Sequence, residues 1–369
     1  DIDELDLNRD FYFIFSHDDV FELYLNGENI VSTGEIWRDN VRLKLTDAMK
    51  QKLHKGKNVI AAHCHNTTGG AYLDFGLYYE NDNAAKFTQE AVQTAVSVLA
   101  TSTYYTFTCG PVELDVVFTA PQLIDDLDLL STPVNYVSYR VRSLDKKEHD
   151  VQFYLETTPE IAINDNTQPT TATVFSQKGI RYVKAGSIEQ PVCAKKGDGL
   201  CIDWGYVYLA APSAAGTEVG LGDYYDMKRS FINNGKTGFS KLNWWARRAN
   251  EQPAMTYVHN LGQVGKTGNT GFVMLGYDDV YSVEYMYERY MGYWKHEGKV
   301  TIEDAFEKLR DNYADIMQRC RMQDEMIYDD ALKAGGRQYA EICSAVYRQA
   351  ISAHKLFTDK EGNLLFFSK

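Results

Sequence analysis

Long hydrophobic runs, proline and positive charge are all scarce in this sequence of 369 residues. No apolar run approaches the roughly 18 residues that a membrane-spanning helix requires. With only 8 prolines and no repeating glycine pattern, a collagen-like chain is excluded. Lysine and arginine number 38 against 51 aspartates and glutamates, so the formal net charge is −13. Because such a surface repels phosphate backbones, the composition argues against a nucleic-acid partner.

Signatures of metal and cofactor sites are also missing. The 6 cysteines show no Cys-x-x-Cys spacing, although a disulfide between Cys193 and Cys201 stays an open question. His63 and His65 share one face if the segment is a strand, but no third ligand follows from spacing. We therefore expect no metal and no cofactor.

Two short polar motifs have ordinary structural explanations. His17-Asp18-Asp19 offers carboxylates to a hard cation, but without calcium-loop spacing a polar turn is favoured. Residues 262–268 contain Gly-Lys-Thr, yet the spacing of a phosphate-binding loop is absent, which favours a glycine-rich turn between strands.

What the chain does contain is typical of globular domains: 44% hydrophobic and 13% aromatic residues. The length suggests two or three domains. Changes between strand-type and helix-type residue patterns divide the sequence into residues 1–82, 83–284 and 285–369. We expect a mainly β protein with a C-terminal α part.

Residues 1–82 are predicted to be all β. Strand formers at residues 11–15 and 20–25 are followed by Asn26-Gly27, a strong hairpin turn because both residue types tolerate positive φ. The segments DDVFELYLNGENI and LHKGKNVIAAHCHNTTGGAYLDFGLY resemble the galactose-binding-like jelly-roll module attached to many glycosidases. The resemblance implies an N-terminal jelly-roll β-sandwich, which either binds sugar or braces a catalytic domain.

Residues 83–284 are predicted to form a large β-sandwich. Runs of β-branched and aromatic residues, many separated by Asn, Asp, Gly and Pro, indicate many short strands. Residues 243–248 are interpreted as a loop or short helix between strands. The runs lie at residues 103–108, 112–119, 134–141, 151–156, 205–211 and 271–275.

Residues 285–369 are predicted to hold an antiparallel helix pair. Thr301 and Asp304 have the spacing of a capping box. Two apolar stripes at three- to four-residue spacing follow, with a break at Gly335-Gly336. The first stripe runs from Ile302 to Cys320, and the second runs from Tyr339 through His354 to Phe357.

Several segments resemble the glutaminase A family of secreted bacterial and fungal proteins. They are TYYTFTCGPVELDVVFTAP, PVNYVSYRVRSLDKKEHDVQFYLE, IDWGYVYLA, YVHNLGQVGKTGNTGFVMLGYDD, and YRQA followed by LLFFSK. The resemblance implies a β-sandwich joined to an α/α toroid whose first helices lie here. It also implies that the chain is truncated, and that its missing partner is the C-terminal toroid of the same protein.

The resemblance further implies hydrolysis of the glutamine side-chain amide to glutamate and ammonia. Arg348 is a candidate clamp for a substrate carboxylate and Gln349 a candidate amide partner, although a structural salt bridge is the alternative. Asp278, Asp279 and Asp324 are candidate acids or bases, with a solvated acidic surface as the alternative. No nucleophile emerges from the sequence.

Three functions therefore stay open. The first is a glutaminase-type amidohydrolase, and the second is a glycan-binding or glycoside-hydrolase-like protein. The third is a non-catalytic piece that braces the expected toroid and is inactive alone. The expected location is periplasmic or extracellular, because the resembling families are secreted and the composition is acidic.

Overall fold

The computed structural model describes residues 2, 5–79, 89–165, 168–195, 200–238, 241–246 and 253–368. Contacts divide the chain into two units, residues 1–85 and 86–369. The three domain ranges drawn from the sequence stay predictions.

The first unit consists of two three-stranded antiparallel sheets, in the orders β4–β1–β6 and β3–β2–β5, around one apolar core. Asn26 and Gly27 both have positive φ, 52° and 87°, so the predicted hairpin turn is confirmed. The jelly-roll assignment stays a prediction. The elements are β1 (Phe11–His17), β2 (Val20–Leu25), β3 (Glu28–Ser32), β4 (Arg38–Lys44), α1 (Asp47–Lys50), β5 (Ile60–His65) and β6 (Leu73–Tyr79).

The second unit is built on a nine-stranded antiparallel sheet in the order β16–β12–β13–β14–β18–β10–β9–β8–β7. A three-stranded sheet, β11–β17–β15, packs on one face through a shared apolar core. The prediction of a mainly β chain with a C-terminal α part is therefore confirmed. The strands are β7 (Val92–Val98), β8 (Ser102–Cys109), β9 (Val112–Thr119), β10 (Val134–Ser143), β11 (His149–Thr157), β12 (Thr170–Gln177), β13 (Ile180–Ser187), β14 (Tyr206–Pro212), β15 (Thr217–Gly222), β16 (Asn243–Ala246), β17 (Ala254–Val264) and β18 (Asn269–Asp278). A separate hairpin follows, formed by β19 (Val283–Tyr285) and β20 (Glu288–Tyr290).

Helices cover part of the other face of the large sheet. These are α4 (Ile302–Asp311) and α5 (Tyr313–Ser352), after the short α2 (Leu127–Ser131). Helix α3 (Tyr224–Asn234) contacts the three-stranded sheet instead. The predicted capping box is confirmed, because Thr301 and Asp304 each accept a hydrogen bond from the other's backbone N–H. Phe306 and its apolar neighbours on α4 pack on sheet residues such as Tyr182 and Tyr208.

Helix α5 reverses direction at Gly336, whose φ of 79° and ψ of −173° are not helical. Gln323 Nε2 donates to Tyr347 Oη at 2.6 Å, although the residues are 24 positions apart. An unbroken helix would separate them by about 36 Å. The two halves of α5 therefore run antiparallel, as the predicted break at Gly335-Gly336 requires.

Three local predictions were wrong. Residues 243–246 form strand β16, which pairs with Thr170–Thr173 of β12, and are neither loop nor helix. Asn312 divides the first apolar stripe into α4 and α5. The second stripe ends at Ser352, because His354 and Phe357 lie in β21 (His354–Thr358), paired with β22 (Leu364–Ser368).

A local hydrogen-bonded turn stabilises the β21–β22 hairpin, although the apolar spacing of this segment also fits a helix. The Asp359 carboxylate accepts hydrogen bonds from the Asn363 backbone N–H and side-chain amide, at 2.7 and 2.9 Å, and closes the turn. Residues Leu364–Ser368 of the segment LLFFSK therefore form a strand and not an inner helix, and Lys369 lies outside the described residues. An α/α toroid that begins at α5 stays a prediction.

Candidate functional site

The loop after strand β18 carries two of the three candidate carboxylates. Asp278 Oδ1 accepts a hydrogen bond from the Val280 backbone N–H at 2.9 Å. Val280 itself has φ of 58°, a strained conformation for a β-branched residue. The loop at the end of this core strand is thus held in a strained backbone conformation. Such strain is common at functional sites, where the surrounding structure fixes the positions of the side chains.

Asp279 is almost fully buried, with 1% of its surface exposed. Its Oδ1 accepts from Ser282 Oγ at 2.9 Å and its Oδ2 from Lys355 Nζ at 2.8 Å. Burial alone would raise the pKa of Asp279, but the Lys355 ammonium and the Ser282 hydroxyl hold it below its ordinary value. Asp279 is therefore a charged partner that holds Lys355 in place.

A second ion pair lies beside the first. Buried Lys295, in the short 3₁₀ helix Tyr293–Lys295, approaches Asp278 Oδ1 at 2.5 Å and donates to the Val280 carbonyl at 3.1 Å. Two carboxylates of one loop thus meet two ammonium groups from other elements, and their charges cancel. This balance allows Asp279 and Lys295 to be buried, because each is paired and hydrogen-bonded.

A cavity of about 170 Å³ adjoins this cluster. Ser282 and Lys355, the two partners of Asp279, both line it, and so does Gln122. The Gln122 Oε1 is buried without a hydrogen-bond partner in the described part of the chain. Other lining residues include Ser131, Thr132, Asn135, Trp294 and His354. The cavity has room and polar groups for one small molecule.

A larger cavity of about 470 Å³ lies next to the first and shares Gly292 with it. Tyrosines and cationic side chains line its wall, among them Tyr290, Tyr293, Arg289 and Lys299. Arg289 and Lys299 form exposed ion pairs with Glu284 and Glu297.

Asp324, the third candidate carboxylate, lies on α5 and is also 1% exposed. Its Oδ1 accepts from the Thr101 backbone N–H at 2.6 Å, and its Oδ2 has no partner within the described ranges. Burial raises the pKa of Asp324, and the hydrogen bonds from Thr101 and Ser102 and the charge of Arg348 only partly oppose it. Asp324 therefore keeps its proton to higher pH than an ordinary aspartate.

Arg348 and Gln349 have different surroundings. Arg348 donates to Thr103 Oγ1 at 2.6 Å and to the Leu99 carbonyl at 2.7 Å, where β7 turns into β8. Gln349 is exposed on α5. The structure thus places Arg348 near Asp324, and Asp278 beside Asp279, whereas Gln349 joins neither group.

Gln122 connects the two groups. Its backbone carbonyl accepts from Gln323 Nε2 at 2.9 Å and from Tyr347 Oη at 2.6 Å, and its side chain lines the small cavity. Sequence reasoning did not identify Gln122, Lys295 or Lys355, because nothing in their local sequence distinguishes them from other polar residues.

The other polar motifs have structural roles. Asp19 Oδ2 accepts from the backbone N–H and the hydroxyl of Thr67, both at 2.6 Å, so the predicted polar turn is confirmed. Residues 265–268 form the turn between β17 and β18, as predicted. Among the residues with described positions, no three His, Cys, Asp or Glu side chains converge as a metal site. No helix in the described part of the chain is both long and apolar enough to span a membrane.

Fold and site together define a mainly β protein of the sandwich type, with a C-terminal helical part and a polar cavity bordered by buried ion pairs. The chain belongs to the family described as a domain of unknown function (DUF5127), whose model matches residues 101–330. It is similar to Glutaminase A of Aspergillus oryzae (strain ATCC 42149 / RIB 40), with 26% identity over 284 residues. The match covers 75% of this chain and 41% of that relative, so the chain spans about two-fifths of the relative's length. The resemblance to a glutaminase A-like family is thereby confirmed.

Proposed function

We propose that this chain is part of a glutaminase-type amidohydrolase, which hydrolyses the side-chain amide of glutamine to glutamate and ammonia. The observation that carries the proposal is the similarity to Glutaminase A over 75% of the chain. The small polar cavity beside Asp279 supports it, since its volume of about 170 Å³ suits a free amino acid.

We compare the groups that amide hydrolysis requires with the residues that line the cavity. Amide hydrolysis needs an attacking group, donors for the developing oxyanion, and groups that hold the amino and carboxylate ends of the substrate. Lys355 is the cationic group in the lining and attracts the substrate carboxylate. The Gln122 carboxamide oxygen is available to accept a hydrogen bond from an amino or amide N–H. Asp279 positions Lys355, and no attacking group is assigned.

The experiment compares ammonia release from L-glutamine by this 369-residue chain with that by the Aspergillus oryzae relative. Calorimetric titration with L-glutamine reports binding independently of turnover. Gln122→Leu should weaken binding, because it removes the unpartnered acceptor, whereas Gln349→Leu on exposed α5 is the matched control. Because the chain is expected to be inactive alone, absence of L-glutamine binding, and not absence of turnover, would refute the proposal, and so would equal effects of the two variants on binding.

A second candidate function is carbohydrate binding by the first unit, and one observation favours it. The Tyr78 ring, 48% exposed, lies against Gly76 so closely that a Cβ there would come within 2.7 Å of Tyr78 Cε2. Tyr12 pairs across the sheet with Tyr78 and lies 3.9 Å beneath the Arg42 guanidinium. A flat exposed ring beside a planar donor suits the apolar face of a sugar.

A glycan array probed with the whole chain tests this second candidate. Tyr78→Ala should abolish any binding, while Tyr287→Ala at a fully exposed hairpin tip should leave it unchanged. An empty array excludes the carbohydrate role and leaves the amidohydrolase proposal untouched.

We also propose a periplasmic or extracellular location, which the acidic composition and the resemblance to secreted proteins support. Fractionation of the native host with an antibody against this chain tests it. Recovery only with cytoplasmic markers would contradict the proposal.

A further inference from the structure

Asp203-Trp204-Gly205, in the segment IDWGYVYLA, lies directly before strand β14. Strands β14 and β18 are neighbours in the large sheet, and Tyr206 pairs with Asp278. The three residues therefore lie beside the place where β18 ends and the loop of residues 278–282 begins. This loop carries Asp279, whose two hydrogen-bond partners both line the small cavity.

Gly205 is in direct contact with the backbone of this loop. Its φ is 82°, a conformation that favours glycine. A Cβ atom at residue 205 would collide with the Asp278 carbonyl oxygen and would lie 2.8 Å from Asp279 Cα. Any larger residue would therefore displace the loop, so both the conformation and the close approach require glycine here.

Trp204 forms hydrogen bonds on both sides of the strained part of the loop. Its indole Nε1 donates to the Tyr281 carbonyl at 3.0 Å. Its own carbonyl accepts from Tyr277 Oη at 2.6 Å. Val280, with its φ of 58°, lies between these two attachments. A strained backbone persists only where surrounding contacts fix it, and Trp204 supplies two of them.

Residues 203–205 are themselves held firmly by other parts of the chain. The Gln190 carboxamide bonds both backbone groups of Gly205, accepting from its N–H at 2.6 Å and donating to its carbonyl at 3.0 Å. Asp203 is 2% exposed, and its Oδ2 accepts from Lys195 Nζ at 3.1 Å and from Gln168 Nε2 at 2.9 Å. The segment is thus a fixed support against which the loop is held.

We propose that Trp204 and Gly205 are positioning residues for the small cavity. They hold the loop in its strained conformation and thereby place the Asp279 carboxylate where it binds Lys355. The proposal rests on the amidohydrolase function proposed above, in which Lys355 attracts the substrate carboxylate. Displacement of the loop would move this ammonium group and weaken substrate binding, because affinity depends on precise placement of the charged partner.

Calorimetric titration of the 369-residue chain with L-glutamine tests the role of Gly205. Gly205→Ala should weaken binding by about tenfold or more. Gly216→Ala is the matched control, since Gly216 has φ of 77° and a Cβ atom there would lie 2.7 Å from the Asn260 carbonyl oxygen, at the three-stranded sheet. The control should leave binding unchanged, and circular dichroism verifies that both variants fold.

Tyr277→Phe removes only the hydrogen bond to Trp204, so it tests the proposal even if the alanine variant does not fold. Guanidinium denaturation measures its coupling to Asp279→Asn. In the double variant, the combined effect on the unfolding equilibrium constant should be smaller than the product of the single effects by about threefold or more. Tyr136→Phe is the matched control, because Tyr136 Oη also donates to a backbone carbonyl, that of Leu309, at 2.9 Å. Its effect should multiply with that of Asp279→Asn.

Equal losses of L-glutamine binding in the two alanine variants would overturn the positioning role. Independent effects of Tyr277→Phe and Asp279→Asn would overturn it as well, since a merely structural hydrogen bond does not couple to the distant carboxylate. If the native chain does not bind L-glutamine, the amidohydrolase proposal fails, whereas the unfolding measurements still decide whether Trp204 and its neighbour position Asp279.

Discussion

Asp279 and Asp324 are equally buried, each with 1% of its surface exposed, yet the fold shifts the pKa values of their carboxyl groups in opposite directions. Asp279 lies in a loop after a core strand, where Lys355 and Ser282 satisfy both carboxylate oxygens and lower its pKa. Asp324 lies on a helix with one oxygen bonded to Thr101 and the other unpartnered in the described structure, and burial raises its pKa.

The contrast teaches that burial by itself does not decide the state of a carboxylate. A cation within hydrogen-bond reach converts a desolvated acid into a stable anion, whereas backbone and hydroxyl donors compensate desolvation only in part. Asp279 is therefore suited to hold Lys355 in place. Asp324 is the carboxyl group of the two that keeps its proton to higher pH.

The largest expected effect is that of Lys355→Met. It leaves the Asp279 carboxylate buried without its cation, so the free energy of unfolding should fall by about 3–5 kcal/mol. Guanidinium denaturation at pH 7 measures it. Lys333→Met removes an exposed lysine that is paired with Asp330, and is the control with little expected change. Similar losses in both variants would mean that the buried Asp279–Lys355 pair contributes no more to the free energy of unfolding than the exposed Lys333–Asp330 pair.

Asp279→Asn should lower the free energy of unfolding by about 1–3 kcal/mol, less than Lys355→Met does. The reason is that Lys355 is partly exposed and can be hydrated again when its partner is neutral. In the native chain the contribution of Asp279 is present above the ordinary pKa of 3.8 and is lost as pH falls through the lowered folded-state pKa. Denaturation at pH 7 and pH 3 should show a smaller acid-induced loss in the variant. An equal acid-induced loss of stability in the native chain and the variant would contradict the assignment of Asp279 as an anion.

Asp324→Asn should change stability at pH 7 by only about 1 kcal/mol or less, because the asparagine oxygen still accepts from Thr101. Its pH dependence has the opposite sign. The native carboxyl group destabilises the fold as pH rises from 3.8 through its raised folded-state pKa, so the variant should gain stability relative to the native chain over that window. A relative loss would show that Asp324 is stabilised as an anion.

Gln349→Ala should have the smallest effect, within about 0.5 kcal/mol, because its side chain is exposed on α5. Thermal unfolding followed by circular dichroism measures it. A larger loss would mean that Gln349 has a partner in the folded chain and belongs to the Asp324 group after all.

Features that depend on a few neighbouring residues could be predicted from the sequence. The Asn26-Gly27 turn and the Thr301–Asp304 capping box are both present as predicted, because their conformations are determined within four residues. The hairpin of residues 354–368 was missed, because its apolar spacing also fits a helix. Strand β16 was missed because its pairing partner lies about 70 positions earlier.

The sequence by itself determined the mainly β class, the local turns and caps, and which carboxylates were candidates for a site. Only the tertiary structure decided which carboxylates are paired and which cavity they border. Asp279 meets Lys355 across 76 positions, and Asp324 meets Thr101 across 223. The physical reason is that a local conformation depends on adjacent residues, whereas the charge of a buried group depends on the partners that distant parts of the chain bring to it.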